Sequence, residues 1–280
     1  MAKKITASGI RACKQSGRRF TMITCYDFTM ARIVNESKVD AILVGDSLGN
    51  IVYGYKSTIP VTLDQMILAT QGVVNGAPDT FVVGDLPFGS YNASDEQAVI
   101  SATRMMKEGG CDCVKLEGGL NMASRIAAIV KSGIPVFGHI GLLPQTAGDG
   151  MRVQGRKLEE AKGLYADIKA VEAAGAFAVV AECVPVEVLR RLNEAVQIPV
   201  FAGGKGSNSS GNGMNLYDMF GLFSDFTPRF AKKFGDYRQE MIAGLNRFHE
   251  EVLDGTYPAE ENSYYAAIEG FDEFVDEMEQ

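Results

Sequence analysis

Short, apolar, β-branched runs recur along this chain, and most are followed by a longer stretch with the punctuation of a helix. The runs are FTMITCY at 20–26, AILVGD at 41–46, FVVGDL at 81–86, DCVKLE at 112–117, IPVFGH at 134–139, AVVAEC at 178–183 and IPVFA at 198–202. Runs of this length and composition read as strands buried on both faces. Between them, Thr62 is placed to cap a helix running to Asn75, and Ser94–Gln97 reads S-D-E-Q, a capping box ahead of a helix that stops at Gly109–Gly110. A long helix ending at Gly175 and another opening at Pro185 complete the pattern. Strands alternating with helices point to a parallel sheet covered by helices. No linker-like stretch divides the 280 residues and no Gly-rich turn follows the first strand, which favours a single α/β domain over 1–280, a (β/α)₈ TIM barrel, over a doubly wound sheet.

The eighth strand is the weak point of that expectation. The segment GGKGSNSSGNGMNLYDMFG at 203–221 reads as a mobile loop, with only MNLYDMF at 214–220 available as strand. At the C-terminus, Ile268, Phe271, Phe274, Val275 and Met278 stand at helical spacing. They predict an acidic amphipathic helix at about 265–280 that docks on a neighbouring barrel.

Composition removes several classes of function. A net charge of −8 without a Lys/Arg-rich block argues against nucleic acid as a partner. No apolar run approaches the roughly 18 residues that span a bilayer, and the basic first 20 residues lack the apolar core of a secretory signal. Five cysteines without a CxxC pair, beside only two histidines, do not make a structural zinc site. Cys111 and Cys113 are expected to pack on one strand face, and the chain to be reduced and cytoplasmic.

The ends of the predicted strands carry the chemistry. In a barrel, the C-terminal ends of the strands build the active site. Here those ends bear Asp46, Asp85, Lys115 with Glu117, His139 and Glu182. Each has an ordinary reading: Asp46, Asp85 and Glu182 as helix caps, Lys115 as the partner of Glu117, His139 as a satisfied core histidine. Together, six ionisable groups at one barrel end are more economically explained by catalysis, because burying unpaired charge costs several kcal/mol. Carboxylates without nitrogen or sulfur ligands suit Mg²⁺, which polarises a carbonyl and stabilises an enolate. A second carboxylate or the histidine would act as base, and a lysine with backbone amides near Ser47 would hold an anionic group. His249 lies on another predicted helix and reads as structural.

At these residues the chain resembles the ketopantoate hydroxymethyltransferase family. The matching segments are ITCYDF (23–28), VGDSLG (44–49), STIPVT (57–62), DLPFGSY (85–91), VKLEGG (114–119), GHIGLLPQ (138–145), VQGR (153–156), ECVP (182–185) and GTYPAEENS (255–263). The resemblance implies a barrel of the phosphoenolpyruvate/pyruvate superfamily, assembled as a homo-oligomer, often a decamer. It implies Mg²⁺ on Asp46 and Asp85 with Glu117 reaching the ion through water. Ser47 and Lys115 would hold the substrate carboxylate, Glu182 would be the general base, and His139 would contact the substrate's distal end or hydroxyl. The implied reaction passes a one-carbon unit from 5,10-methylenetetrahydrofolate to 3-methyl-2-oxobutanoate, giving 2-dehydropantoate for pantothenate biosynthesis.

After the seventh strand the chain departs from the family pattern. Where relatives read Gly-Ile-Gly-Ala-Gly, then Asp-Gly-Gln and an apolar strand, this chain reads AGGKG at 202–206, then Ser210, Asn212, Gly213 and Asn215; near the C-terminus Asn262 replaces a usual histidine. Gly204, Lys205 and Ser207 form a loop that would suit an anion, or else has simply drifted; its spacing is not that of a Walker P-loop. Two alternatives therefore stand beside the family reaction. One is a paralogue using the same enolate chemistry on another 2-oxo acid or aldehyde donor, the other a catalytically silent scaffold.

Overall fold

The computed structural model describes residues 4–148, 151–203, 209–224 and 231–279. They fall into two compact units, Met1–Phe234 and Gly235–Gln280. The first is a closed barrel of eight parallel strands: β1 (Phe20–Thr24), β2 (Ala41–Val44), β3 (Phe81–Asp85), β4 (Cys113–Glu117), β5 (Val136–Gly141), β6 (Ala178–Glu182), β7 (Val200–Gly203) and β8 (Gly211–Asn215). Each strand pairs with the next, and β8 closes on β1 through Phe20↔Gly211 to Thr24↔Asn215. The helices of this unit are α1 (Ala7–Ser16), α2 (Phe28–Asn35), the single turn α3 (Leu48–Ile51), α4 (Leu63–Gly76), α5 (Asp95–Arg104), α6 (Ala123–Lys131), α7 (Leu158–Ala173), α8 (Val186–Ala195) and the single turn α9 (Leu216–Met219).

Local chemistry sets these boundaries. Thr62 caps α4 and Gln65 reaches back to the Thr62 amide, a complete capping box. Ser94 accepts from the Gln97 amide at the start of α5, while Gln97 takes the Ala93 amide, one residue earlier than in a standard box. After Arg104 the last turn widens into a π-turn, Met105–Gly109, before Gly110 reverses the chain at φ 78°.

Two buried clusters divide the core. One lies inside the barrel and includes Phe20, Phe81, Phe137, Phe177 and Phe201 with Cys113, closed at the N-terminal ends of the strands by Ile10 of α1. Phe20 meets Phe201 edge to face with ring centroids 5.0 Å apart, and Phe137 meets Phe177 at 5.5 Å. The other fills the space between sheet and helices and contains Cys111. The two cysteines therefore pack in different layers, because Cys111 precedes β4 rather than lying on it.

The eighth strand corrects the sequence expectation. It runs over Gly211–Asn215, inside the segment read as loop, and Leu216–Met219 is a helical turn rather than strand. A Cβ at Gly211 would meet the Phe20 carbonyl oxygen at 2.2 Å and the Phe201 ring at 2.7 Å, so close strand approach demands glycine where strand propensity disfavours it. Gly204, Lys205 and Ser207 lie outside the described residues.

The second unit contains α10 (Tyr237–Asp254) and α11 (Phe271–Met278), the latter within the predicted C-terminal segment. Its apolar side chains, among them Met241, Leu245, Phe248, Phe271 and Phe274, are exposed, as is His249.

Candidate active site

Five consecutive strands deliver the six predicted ionisable residues to one cavity. Asp46 follows β2, Asp85 ends β3, Lys115 and Glu117 lie on β4, His139 on β5, and Glu182 ends β6. The register places Asp85 beside Lys115 and Glu117 beside His139. All six line a cavity of about 390 Å³, with Ser47, Asn50, Met214, Asn215, Asp218 and Phe201 also on its wall. Five of them are buried, Asp85 to 1% exposure; Glu182 keeps 25% of its side chain open. Burial of so many charges at one strand end is what catalysis, rather than stability, requires.

Lys115 Nζ donates to Asp85 Oδ1 at 2.6 Å, and the Asp46 amide reaches Asp85 Oδ2 at 3.3 Å. The ordinary reading that paired Lys115 with Glu117 is thus replaced by a pairing across strands. Neither Asp46 nor Asp85 caps a helix; Ser47 stands at the N-cap of α3, and Pro185 at that of α8, so Glu182 is no cap either. His139 stands between two carboxylates, with Nδ1 3.4 Å from Glu117 Oε1 and Nε2 3.1 Å from Glu182 Oε2. Neither ring nitrogen makes a well-directed hydrogen bond, so these are charge contacts.

The charges explain one another. Burial raises the Asp46 carboxyl, and the Asp85 charge adds to it, bringing it to about 7. Burial also raises Asp85, partly offset by Lys115. For Glu117, burial acts upward but His139 and Lys115 outweigh it, and the group is held low. Burial and Lys115 push His139 down, yet Glu117 and Glu182 prevail and raise it to about 9, an imidazolium at neutral pH. Lys115 is likewise held charged, its burial outweighed by Asp85, Glu117 and Asp46.

Three further side chains complete the site and were not singled out by sequence. Gln145, 2% exposed, donates from Nε2 to Asp46 Oδ2 at 2.9 Å and to the Leu86 carbonyl at 3.0 Å, while its backbone N–H donates to Glu117 Oε2 at 3.0 Å. Tyr91 donates to Gln145 Oε1 at 2.6 Å and its hydroxyl accepts from the Glu117 amide at 3.2 Å. Tyr26 places its hydroxyl 2.8 Å from Ser47 Oγ. Their only sign in the sequence is position: Gln145 and Tyr91 end the GHIGLLPQ and DLPFGSY segments, and Tyr26 lies within ITCYDF. Glu182 is set by the turn around it: a Cβ at Gly141 would meet the Glu182 carbonyl oxygen at 2.3 Å, and Cys183 takes a positive φ of 48° with its carbonyl held by the Gln154 amide.

The donor set fits a magnesium ion. Burial and repulsion from neighbouring carboxylates raise the Asp46 and Asp85 carboxyls even beside the Lys115 ammonium, and a divalent cation held between them would relieve that cost. Among the described residues no three His, Cys, Asp or Glu side chains form a preassembled cage. Two aspartates with water in the remaining positions suit Mg²⁺.

A ketopantoate hydroxymethyltransferase family model matches residues 4–260. The 3-methyl-2-oxobutanoate hydroxymethyltransferase of Heliobacterium modesticaldum is 47% identical over 266 residues, 94% of this chain and 96% of that protein. In fold, the chain is similar to a phosphoenolpyruvate phosphomutase from Streptomyces platensis subsp. rosaceus, with a TM-score of 0.61 at 15% identity over 98% of this chain and 97% of that one. A 2,3-dimethylmalate lyase of the PEP mutase/isocitrate lyase superfamily gives 0.53 at 16% identity over 100% of both chains. The structural likeness carries the barrel architecture alone. With nearly the whole chain matched at that identity, and the barrel found as the motifs implied, the chain belongs to the ketopantoate hydroxymethyltransferase family and is an enzyme, a hydroxymethyltransferase.

Proposed function

We propose that this enzyme transfers a hydroxymethyl group from 5,10-methylenetetrahydrofolate to 3-methyl-2-oxobutanoate, yielding 2-dehydropantoate for pantothenate synthesis, through an enolate and with Mg²⁺. The observation that carries this reading is the arrangement of Glu182. It is the most open of the six ionisable groups, and it faces the same cavity as the buried Asp46, Asp85 and Lys115.

Asp46 and Asp85 would hold the ion, with Glu117 reaching it through water. The ion would supply polarisation of the 2-oxo group, and with it acidity at C3. The Ser47 hydroxyl and the Lys115 ammonium bind the substrate carboxylate. Glu182 removes the C3 proton, and the C–H electron pair passes into the enolate. The imidazolium of His139 lies against Glu182, holding the carboxylate in place, and the same ring would contact the substrate's distal end or hydroxyl. The enolate carbon bonds to the methylene carbon of the donor, both C–N bonds of that carbon break, and a water supplies the hydroxyl oxygen; the C3 proton and one water proton end on the two nitrogens of the released tetrahydrofolate.

The unburied apolar residues of α10 and α11 support a homo-oligomer, with the decamer of the family as the expected size, readable by analytical ultracentrifugation. No helix among the described residues is long and apolar enough to cross a membrane. With the net charge of −8, this supports a cytoplasmic enzyme that engages neither membrane nor nucleic acid. The test is product formation followed by NMR, with Mg²⁺ and 3-methyl-2-oxobutanoate, with and without 5,10-methylenetetrahydrofolate. 2-Dehydropantoate that depends on both additions supports the reading. Proton exchange at C3 without product would move the chain to the paralogue with another donor, and neither would leave another 2-oxo acid or the silent scaffold.

A further inference from the structure

We propose that Asn215 and Tyr26 fix the direction of the Ser47 hydroxyl proton, so that Ser47 is a dedicated hydrogen-bond donor to the substrate's carboxylate. This rests on the reading that a 2-oxo acid occupies the cavity. The argument starts at the far end of the chain of contacts. The Tyr217 amide donates to Asn215 Oδ1 at 3.0 Å, which settles which amide atom is oxygen. Asn215 Nδ2 therefore points at the Tyr26 hydroxyl, 2.5 Å away, and an amide nitrogen can only donate. Tyr26 is 4% exposed, and its hydroxyl has two partners among the described residues, Asn215 and Ser47. Having accepted from Asn215, it satisfies its own proton only by donating to Ser47 Oγ, at 2.8 Å; the reverse direction would bury a proton without an acceptor.

Ser47 Oγ thus receives a hydrogen bond from behind and keeps its own proton. The hydroxyl makes no other hydrogen bond among the described residues and lines the cavity. The proton is left to face the ligand, where a carboxylate oxygen accepts it and a donor group would clash. Three strands build this relay: Tyr26 follows β1, Ser47 follows β2 and Asn215 ends β8. Burial keeps the phenol protonated across the neutral range, so the direction does not invert with pH.

The test uses the whole protein with Mg²⁺ and oxalate, a planar dicarboxylate, with affinity read by calorimetry. Asn215→Asp keeps the acceptor for the Tyr217 amide and the capping role, so the fold is retained, checked by thermal unfolding. The new carboxylate accepts from Tyr26, Tyr26 then accepts from Ser47, and the Ser47 proton turns away from the ligand. Oxalate affinity is expected to fall about 10- to 100-fold, against at most about threefold for the neutral Asn215→Leu. In a Tyr26→Phe background the relay is cut, and adding Asn215→Asp should cost less than about threefold more. A charge effect acting through space would persist in that background, and a merely structural role would lower thermal stability equally for both Asn215 variants. Equal affinities for Asn215→Asp and Asn215→Leu, or an undiminished Asn215→Asp penalty beside Phe, would overturn the relay. Because oxalate binding does not need turnover, a wild type that exchanges no C3 proton counts against the proposed reaction and leaves this comparison intact.

Discussion

The two halves of the barrel mouth are built differently. From β2 to β6 the strand ends carry Asp46, Asp85, Lys115, Glu117, His139 and Glu182 in an unbroken arc. From β7 round to β1 the cavity wall is Phe201, Ala202, Gly213, Met214 and Asn215, with Met22 and Thr24, and no charge comes from the strands themselves. The first half holds charge that burial makes expensive; the second supplies shape and the hydrogen-bond polarity of Ser47. Chemistry is therefore concentrated where adjacent strands let charges compensate one another at 2.6–3.4 Å, as Lys115 does for Asp85 and His139 for Glu117 and Glu182. The neutral half is constrained by close approach instead, as at Gly211 against the Phe20 carbonyl.

Substitutions that hit only one half sharpen the contrast. The largest effect is expected in the charged half: Glu182→Gln should slow C3 proton exchange about 10³-fold, with the unfolding temperature unchanged, as NMR and calorimetry would read. Next is Asp85→Ala, which leaves the Lys115 ammonium buried without its partner. A loss of about 3–5 kcal/mol in urea unfolding is expected, against little for an exposed aspartate such as Asp64. In the neutral half, Phe201→Ala removes a ring packed against Phe20 and Phe137 and should cost about 3–4 kcal/mol of stability, yet leave Mg²⁺ affinity within about twofold. The smallest is Gln145→Leu. It removes the donor to Asp46 and the acceptor of Tyr91, and should weaken Mg²⁺ binding about 10-fold without changing the affinity order among 2-oxo acids. Equal effects of Phe201→Ala and Gln145→Leu on metal affinity would erase the division between the halves.

The same division explains what could be read from the sequence. In the charged half, β-branched runs ending in an ionisable residue announce both the strand and its function, so Val44-Gly45-Asp46 and Val83-Gly84-Asp85 mark their places directly. In the neutral half, Gly211 and Gly213 stand where a strand would normally show Val or Ile. Contact with the Phe20 carbonyl requires that, but only the assembled barrel reveals it. Partners also lie beyond local sequence. Lys115 chooses Asp85, 30 residues away, over Glu117 on its own strand, because adjacent strands bring the two into register. Gln145 is 99 residues from Asp46, and an uncharged side-chain amide gives no advance sign of binding a buried carboxylate. The direction of the Ser47 proton depends on Asn215 in a segment that reads as loop.

The most direct test of the central claim is C3 deuterium exchange of 3-methyl-2-oxobutanoate in D₂O with Mg²⁺, comparing the wild type with Glu182→Gln and titrating Mg²⁺ in each. The account predicts exchange in the wild type, its loss by about 10³-fold in the variant, and nearly equal Mg²⁺ affinity in both. Exchange that survives in Glu182→Gln would contradict it, and would place the base elsewhere in the arc.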